Sequence, residues 1–394
     1  MDRIVVTGMG VISAIGNTVA ENRVALMEGK CGIGRLETFP SKFAGILPVG
    51  EIRIPNHALQ EQLDAYEPGV TRTSLLALYA FKEAITNSYL SIAQIATDTA
   101  LIGASTVGGM CLTDEMYYDS KKGGPGSEYL SSYDYSATCM YLQKRYAING
   151  PVNTINTACS SSANAIMYGA RLIKSGKVKR AIVGGFDSLA KFTINGFNAL
   201  HILSPEICTP FDADRKGLNL GEGAAFLVLE KESEVADKKI YAALSGYANS
   251  NDAFHASSLS ENGEGPYTAM ESALTVAKLG AGAIDFINAH GTGTENNDQV
   301  ESVAMMRLFN KVPSFNSTKA NIGHTLGAAG AIEAVYCILN LSEQELYPGL
   351  HFKTPISGLE LQPIPFYKKA TLTHVMSNSF GFGGNCSSLI FSKA

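Results

Sequence analysis

No Cys-x-x-Cys pair occurs among the seven cysteines, which stand at positions 31, 111, 139, 159, 208, 337 and 386. Their odd number and wide spacing exclude a disulfide framework and a zinc-ribbon type of site, and read as free thiols in a reducing compartment. No apolar run approaches the ~18 residues that a membrane-spanning helix needs. The chain opens MDRIVVTGMG and enters a strand pattern at once, so no secretory signal is expected and the expected location is cytoplasmic. Charge is scarce as well: 17% of residues are Asp, Glu, Lys or Arg, the formal net charge is −5 and the pI is near 5.9. That balance argues against nucleic acid or an anionic membrane as a partner. No Pro/Ser-rich linker and no low-complexity tract interrupts the sequence.

What is present points to α/β architecture. The 394 residues include 39 glycines and are 45% hydrophobic, the profile of tightly packed layers with close backbone turns. Strand patterns fall at Ile4–Thr7, Ala100–Ser105, Ala181–Gly184 and Ala225–Leu229, then at Tyr241–Tyr247, Ile284–Asn288, Pro313–Asn316 and Ser388–Phe391. Helical periodicity lies between them, near 71–87, 160–175, 266–279, 298–309 and 326–341. Such alternation predicts parallel sheets covered by helices. The charge-dense stretch EKESEVADKK, 230–239, reads as a surface connection between two halves, 1–239 and 240–394, that repeat the same order of elements. Segment 111–135 breaks the periodicity and reads as an irregular excursion, either a plain surface loop or a functional one.

The densest chemical signal is NTACSSSANAIMYGARLIKSG, 156–176. A run of small and hydroxyl residues leads into a helix with apolar positions at Ala163, Ile166, Ala170 and Ile173. Cys159 then sits at or just before a helix N-terminus, where free N–H groups and the macrodipole favour a thiolate nucleophile. The plain alternative is a small buried cysteine that fills the core.

Two histidines share a setting. His290, in INAHGTGTENND, follows an apolar β-rich run, and His324, in NSTKANIGHTLGAAGA, precedes a Gly/Ala-rich helix. Both fall at strand-to-helix junctions, where α/β sheets gather reactive groups. His57, His201, His255, His351 and His374 lack that setting and read as structural or surface residues. Lys319 and Glu301 stand near the pair in sequence, and spacing alone makes them ordinary surface charges. The segment NSFGFGGNCSS, 378–388, packs glycines around Phe380 and Phe382. It allows close backbone approach and frees N–H groups for an oxyanion site. No Lys-Ser/Thr follows these glycines, so a phosphate loop is disfavoured.

Five segments in order, NTACSSS, PFDADRKGLNLGEGAAFLVLE, NAHGTGTENND, STKANIGHTLGAAGA and SNSFGFGG, resemble the β-ketoacyl-acyl-carrier-protein synthases, the elongating condensing enzymes of the thiolase superfamily. The resemblance implies a thiolase-like fold, with duplicated α/β halves in a layered α/β/α/β/α arrangement, and a homodimer or a heterodimer with a related subunit. It implies decarboxylative condensation of an acyl thioester with malonyl-acyl carrier protein. Cys159 matches the nucleophile, His290 and His324 the pair that assists decarboxylation, and Lys319 and Glu301 the supporting charged residues. Phe382 matches the gating aromatic, whose N–H joins that of Cys159 in the oxyanion hole. Thr292 and Thr294 match the threonines that contact the phosphopantetheine arm. That arm comes with acyl carrier protein, so neither a metal nor another cofactor is implied.

Two rival readings follow from the same superfamily. One is a non-catalytic or heterodimeric partner subunit resembling a chain-length factor, which would lack the cysteine. The other is a thiolase or cysteine hydrolase, for which Cys386 lies on the wrong side of the glycines. Thr209, Asn385, Cys386 and the short 111–135 excursion depart from the family's usual pattern and point to a specialised pathway, such as polyene or polyketide assembly, beside fatty-acid synthesis. For docking of the acidic carrier protein, the basic candidates are RLIKSGKVKR, 171–180, with Lys121, Lys122, Lys144 and Arg145. The same residues also read as a solvated helix end favoured by its dipole.

Overall fold

Ile4–Ile12 is buried at every position, as a strand must be when both of its faces are covered. It lies near the middle of a ten-stranded sheet in a computed structural model that describes residues 2–122, 124 and 126–394. The strands are β1 (Ile4–Ile12), β2 (Thr99–Ala104), β3 (Val152–Ile155), β4 (Arg180–Asp187), β5 (Gly223–Lys231), β6 (Ala242–Asn251), β7 (Phe286–Asn288), β8 (Ser314–Asn316), β9 (His374–Gly381) and β10 (Asn385–Ser392).

Their spatial order is β8-β7-β9-β10-β6-β1-β5-β4-β2-β3. The first five strands therefore read β3-β2-β4-β5-β1, and the last five repeat that order as β8-β7-β9-β10-β6. Directions repeat too. In each set the outer two pairings are parallel and the inner two antiparallel. The sets join where β1 and β6 pair at Val5–Ala243 and Val6–Ala242. The sheet is thus mixed, not parallel as the alternation of patterns predicts. The reason is local: β9 and β10 are linked by the three-residue turn Phe382–Gly384, and so short a link permits only an antiparallel pair. The glycine-rich 378–388 segment is this hairpin, and the polar residues of β9 hide that strand from a hydrophobicity reading, while β3, which leads to Cys159, is only partly buried.

The helices that frame the sheet and the site are α1 (Arg72–Asn87), α2 (Thr113–Lys122), α3 (Ser161–Lys174), α4 (Lys191–Ala199), α5 (Glu264–Ala277), α6 (Glu295–Leu308) and α7 (Ala329–Glu343). α1 covers β1 and β5 on one outer face, while α5 covers β6 and β10 on the other, with α6 against α5. α3 and α7 pack on each other and touch strands of both sets. The result is the layered helix–sheet–helix–sheet–helix arrangement that the resemblance implies. α7 is buried without a break from Ala329 to Leu341, as expected for a helix apolar on all sides.

The 111–135 excursion is not wholly irregular, because α2 occupies its first half. Asp114 and Glu115 in the first turn and Lys121 and Lys122 in the last complement the helix dipole. Residues 123 and 125 of that segment lie outside the described residues. Among the described residues, no helix is long and apolar enough to cross a membrane.

Candidate active site

Cys159 sits in the turn between β3 and α3, directly before Ser160, the residue that caps the helix. Ala158 holds φ at +53°, an uncommon conformation for a side chain with a Cβ. The surrounding hydroxyls hold it there. The Thr157 N–H donates to Ser161 Oγ at 2.9 Å, Ser160 Oγ donates to the Thr157 carbonyl at 2.8 Å, and Asn164 Nδ2 donates to Thr157 Oγ1 at 2.8 Å. The end of β9 closes over this turn. A Cβ on Gly381 would stand 3.0 Å from the Cys159 nitrogen and from the Thr157 carbonyl oxygen, so glycine eases this close approach. It brings the Phe382 N–H to the sulfur beside the N–H of Cys159 itself.

The expectation of a resting thiolate is corrected by this environment. Burial pushes the Cys159 thiol up to about 11, against the pull of Lys319 and the two amides. The helix terminus does not outweigh loss of water in a site where Cys159 is only 7% exposed. Alkylation of Cys159 by iodoacetamide, followed by mass spectrometry, is therefore expected to accelerate about tenfold per pH unit between roughly pH 7 and pH 10. A plateau below pH 9 would contradict the neutral resting thiol.

His290 and His324 come to the sulfur from two different loops. The thiol sulfur and a ring nitrogen of each histidine all lie within 4.8 Å of one another. The two rings stand nearly perpendicular, at 84°, with centroids 5.4 Å apart. Burial lowers both imidazoles well below their ordinary value, and the nearby Lys319 charge lowers them further. Their hydrogen bonds define the neutral tautomers. Nδ1 of His324 accepts from the Leu326 N–H at 3.2 Å, and Nδ1 of His290 faces the Lys319 ammonium at 3.3 Å. In both rings the proton then belongs on Nε2. Nε2 of His324 is buried with no protein partner.

Lys319 and Glu301 are buried at 2% and 0% exposure, against the surface reading that spacing gives. Lys319 Nζ donates to the His290 carbonyl at 2.6 Å and to Glu333 Oε1 at 2.5 Å. With the His290 ring as a third neighbour, all three ammonium hydrogens are directed. Glu301 stands behind the site. Its carboxylate accepts the N–H groups of His290 and Gly291 at 2.8 Å each, and burial pushes its carboxyl up to about 7. It positions the His290 backbone and does not line the cleft.

Glu333 is the residue that sequence reasoning passed over. Its signal was legible: it is the sole charge within the apolar run AGAIEAVYCILNL of α7, and a buried charge needs a partner. Burial raises the Glu333 carboxyl, against the pull of Lys319. Glu333→Ala leaves the Lys319 ammonium buried without its counter-charge, at an expected cost of about 3–5 kcal/mol, read by denaturant unfolding. A loss below ~1 kcal/mol, the range of an exposed pair, would show that Lys319 finds another partner.

The trio opens into a cleft of about 810 Å³ lined also by Thr292, Thr294, Arg215, His201 and Phe382. Thr292 and Thr294 join hydroxyls at 2.8 Å, and the Asp298 carboxylate fixes their loop through the Thr292 and Gly293 amides. Phe197 of α4 stacks on Phe382 with centroids 5.9 Å apart. His201, read from the sequence as structural or surface, stands exposed on this wall. Cys386 packs instead among Leu259, Ala269, Val300 and Phe380. The basic segment 171–180 is at the wrong end of α3 for this cleft. Cys159 precedes the N-terminus of the 14-residue helix, so the segment begins ~15 Å along its axis. Of the other basic candidates, Arg145 is tied to Glu67 and to the carbonyls of Leu63 and Asp64. The basic residues that line the cleft are Arg215 and Lys216.

Comparison with known proteins places this geometry. The family model described as "Beta-ketoacyl synthase, N-terminal domain" matches residues 1–235, and its C-terminal counterpart matches residues 241–353. The 3-oxoacyl-[acyl-carrier-protein] synthase 2 of Rhizobium meliloti is 33% identical over 420 residues, covering 100% of this chain and 99% of the relative. A solved ketosynthase in complex with its chain length factor, from Xenorhabdus doucetiae, is 32% identical with a TM-score of 0.86, covering 100% of this chain and 98% of that one. The ishigamide ketosynthase/chain length factor gives a TM-score of 0.93 at 27% identity, covering 100% of this chain and 99% of that one.

Proposed function

The chain belongs to the β-ketoacyl synthase family, and from that premise we propose how its own residues carry out the family's condensation. It is an acyltransferase of the 3-oxoacyl-acyl-carrier-protein synthase type with a thiolase fold. The observation that carries the assignment of roles is the convergence of Cys159 with two neutral imidazoles within 4.8 Å in one cleft. A chain-length-factor role is disfavoured, because the full nucleophile and donor set stands assembled.

Cys159 Sγ attacks the carbonyl of an acyl thioester carried on a pantetheine arm. The C–S bond to pantetheine breaks, and the proton of the thiol passes to the departing sulfur. The amides of Cys159 and Phe382 hold the oxyanion of this step and of the later one. Malonyl thioester then enters beside Thr292 and Thr294. Loss of carbon dioxide leaves its electron pair as an enolate, whose oxygen accepts hydrogen bonds from Nε2–H of His290 and of His324. The enolate carbon attacks the acyl-cysteine carbonyl, the C–S bond to Cys159 breaks, and the thiolate recovers a proton from solvent. The β-ketoacyl product leaves on the carrier protein.

A metal is not needed at the trio, and the tautomers oppose one. Each Nδ1 faces a donor, which keeps Nε2 protonated and its lone pair unavailable for ligation.

The assembly we favour is a homodimer. β3 ends the sheet, and in the segment that precedes it along the chain Tyr117, Tyr118, Leu130, Tyr133, Tyr135 and Met140 are exposed. A heterodimer with a related subunit is the alternative. The repeated strand order supports reading residues 1–239 and 240–394 as the two halves, and the free thiols support a cytoplasmic location. Departures at Thr209, Asn385 and Cys386 favour a specialised polyene or polyketide pathway over bulk fatty-acid synthesis. The test is incubation of the protein with a panel of acyl carrier proteins and malonyl-carrier protein. The expected result is a covalent acyl adduct on Cys159 and a β-ketoacyl product. Thioester hydrolysis without carbon–carbon bond formation would overturn the reading.

A further inference from the structure

Asp187, at the end of β4, is a fully buried carboxylate that the mechanism above does not use. No cation pairs with it among the described residues. It is held by hydrogen bonds from two separate stretches of chain. From one side, Oδ1 accepts from Ser105 Oγ at 2.6 Å and from the Val107 N–H at 2.9 Å, while Oδ2 accepts from Thr106 Oγ1 at 2.7 Å. The Thr106 N–H reaches both oxygens. From the other side, Oδ2 accepts the Gly327 N–H at 2.7 Å.

Gly327 belongs to the segment that orients a catalytic ring. The residue before it, Leu326, donates its N–H to Nδ1 of His324 and so determines which nitrogen carries the proton. Leu326 holds φ at +53°, a strained setting for a branched side chain that persists only where its surroundings enforce it. The clamp on the next amide is such an enforcement. Gly327 is also crowded against its acceptor: a Cβ there would lie 2.8 Å from Asp187 Oδ2 and 3.0 Å from the Thr106 nitrogen. Val107 and Leu326, one from each clamped stretch, meet in a single apolar cluster with Leu189 and Ile194.

We propose that Asp187 is a positioning residue for His324. It pins Gly327 to the 105–107 turn, holds Leu326 in its left-handed conformation, and thereby fixes the Nε2–H tautomer and the aim of the ring. Asp187 touches no substrate. It acts through the Gly327 and Leu326 amides, as an outer residue fixes a histidine by hydrogen-bonding what holds it. The inference rests on the decarboxylation role assigned to His324 above.

The test uses two variants of the full chain and two half-reactions. Asp187→Asn keeps the shape but turns one acceptor oxygen into a donor that faces N–H groups. Gly327→Ala keeps the Asp187 carboxylate but sets a Cβ against its Oδ2 and the Thr106 amide, so it pushes the clamp apart from the His324 side. Malonyl-carrier-protein decarboxylation should fall by on the order of tenfold or more in both, while acyl loading of Cys159 from acyl carrier protein stays within about threefold, since a misaimed ring is the only change. Nitrogen-15 NMR of the histidines should show the His324 Nδ1 resonance moving away from its wild-type position. Wild-type decarboxylation with an unmoved His324 signal would overturn the inference, and so would equal loss in both half-reactions. If Asp187→Asn does not fold, Gly327→Ala decides alone. Failure of the wild-type protein to decarboxylate malonyl substrate would instead overturn the proposed function, with the NMR comparison still reporting on Asp187.

Discussion

Cys159→Ala is expected to leave no acyl adduct and no condensation product. The sulfur is the only group in the cleft that can hold an acyl chain as a thioester, and Cys386 is packed away from it behind Phe380. Removal of a covalent nucleophile costs on the order of 10⁶-fold in rate when the other groups cannot substitute for it. The fold should survive, because the turn is held by Thr157, Ser160, Ser161 and Asn164 and not by the thiol. Intact mass after incubation with acyl carrier protein, together with a circular dichroism melt, checks both parts. An adduct of undiminished yield in a folded variant would remove the covalent mechanism.

His290→Ala and His324→Ala are expected to separate the two half-reactions. Each ring supplies one N–H to the oxygen where charge develops as carbon dioxide leaves, and loss of one such donor costs about 3–4 kcal/mol, or roughly 10²–10³-fold. Acyl transfer to Cys159 depends on the two backbone amides and should lose far less. The His290 variant also removes a neighbour of Lys319, though the ammonium keeps Glu333 Oε1 as a partner. The pH dependence carries the sign of the argument. Both imidazoles are lowered well below 6.5 and are neutral throughout the range from about pH 6 to pH 8. Decarboxylation should not fall as pH rises across that window, and the ionisation of Glu301 near 7, which strengthens its hold on the His290 amide, can only raise it. If imidazolium were the donor, the rate would fall as pH rises through the ordinary histidine range. Decarboxylation of malonyl-carrier protein by the two variants, followed by carbon dioxide release, measures the first claim, and the wild-type pH profile measures the second. Wild-type rates in both variants would refute the assignment.

Much of the fold and of the site is legible in the sequence. Apolar runs at Ile4, Ala100, Ala181 and Ala225 mark strands because a short apolar run gains most by burial between two covered faces. The spacing of Ala163, Ile166, Ala170 and Ile173 marks α3 for the same reason. Cys159 at its start, and His290 and His324 at strand-to-helix junctions, follow from those elements. The five motifs point to the family because each encodes a local backbone shape. The direction of pairing was not readable in the same way, since β9 is polar along much of its length and draws its place from the β10 hairpin.

The tertiary structure alone decided the electrostatics. Whether Lys319 and Glu301 are surface charges or buried anchors depends on what folds over them, and nothing in their neighbours along the chain reports that. The same holds for Glu333, which meets Lys319 across fourteen residues of sequence, and for Asp187, which joins turns at 105–107 and 327. The thiol's protonation state was likewise set by desolvation, a property of everything packed around Cys159, and it outweighed the helix terminus that the sequence shows. Local sequence determines backbone shape through short-range sterics and periodicity. The charge state of a buried group is instead a sum over all atoms within several ångströms, most of them distant in the chain, and only the folded structure brings them together.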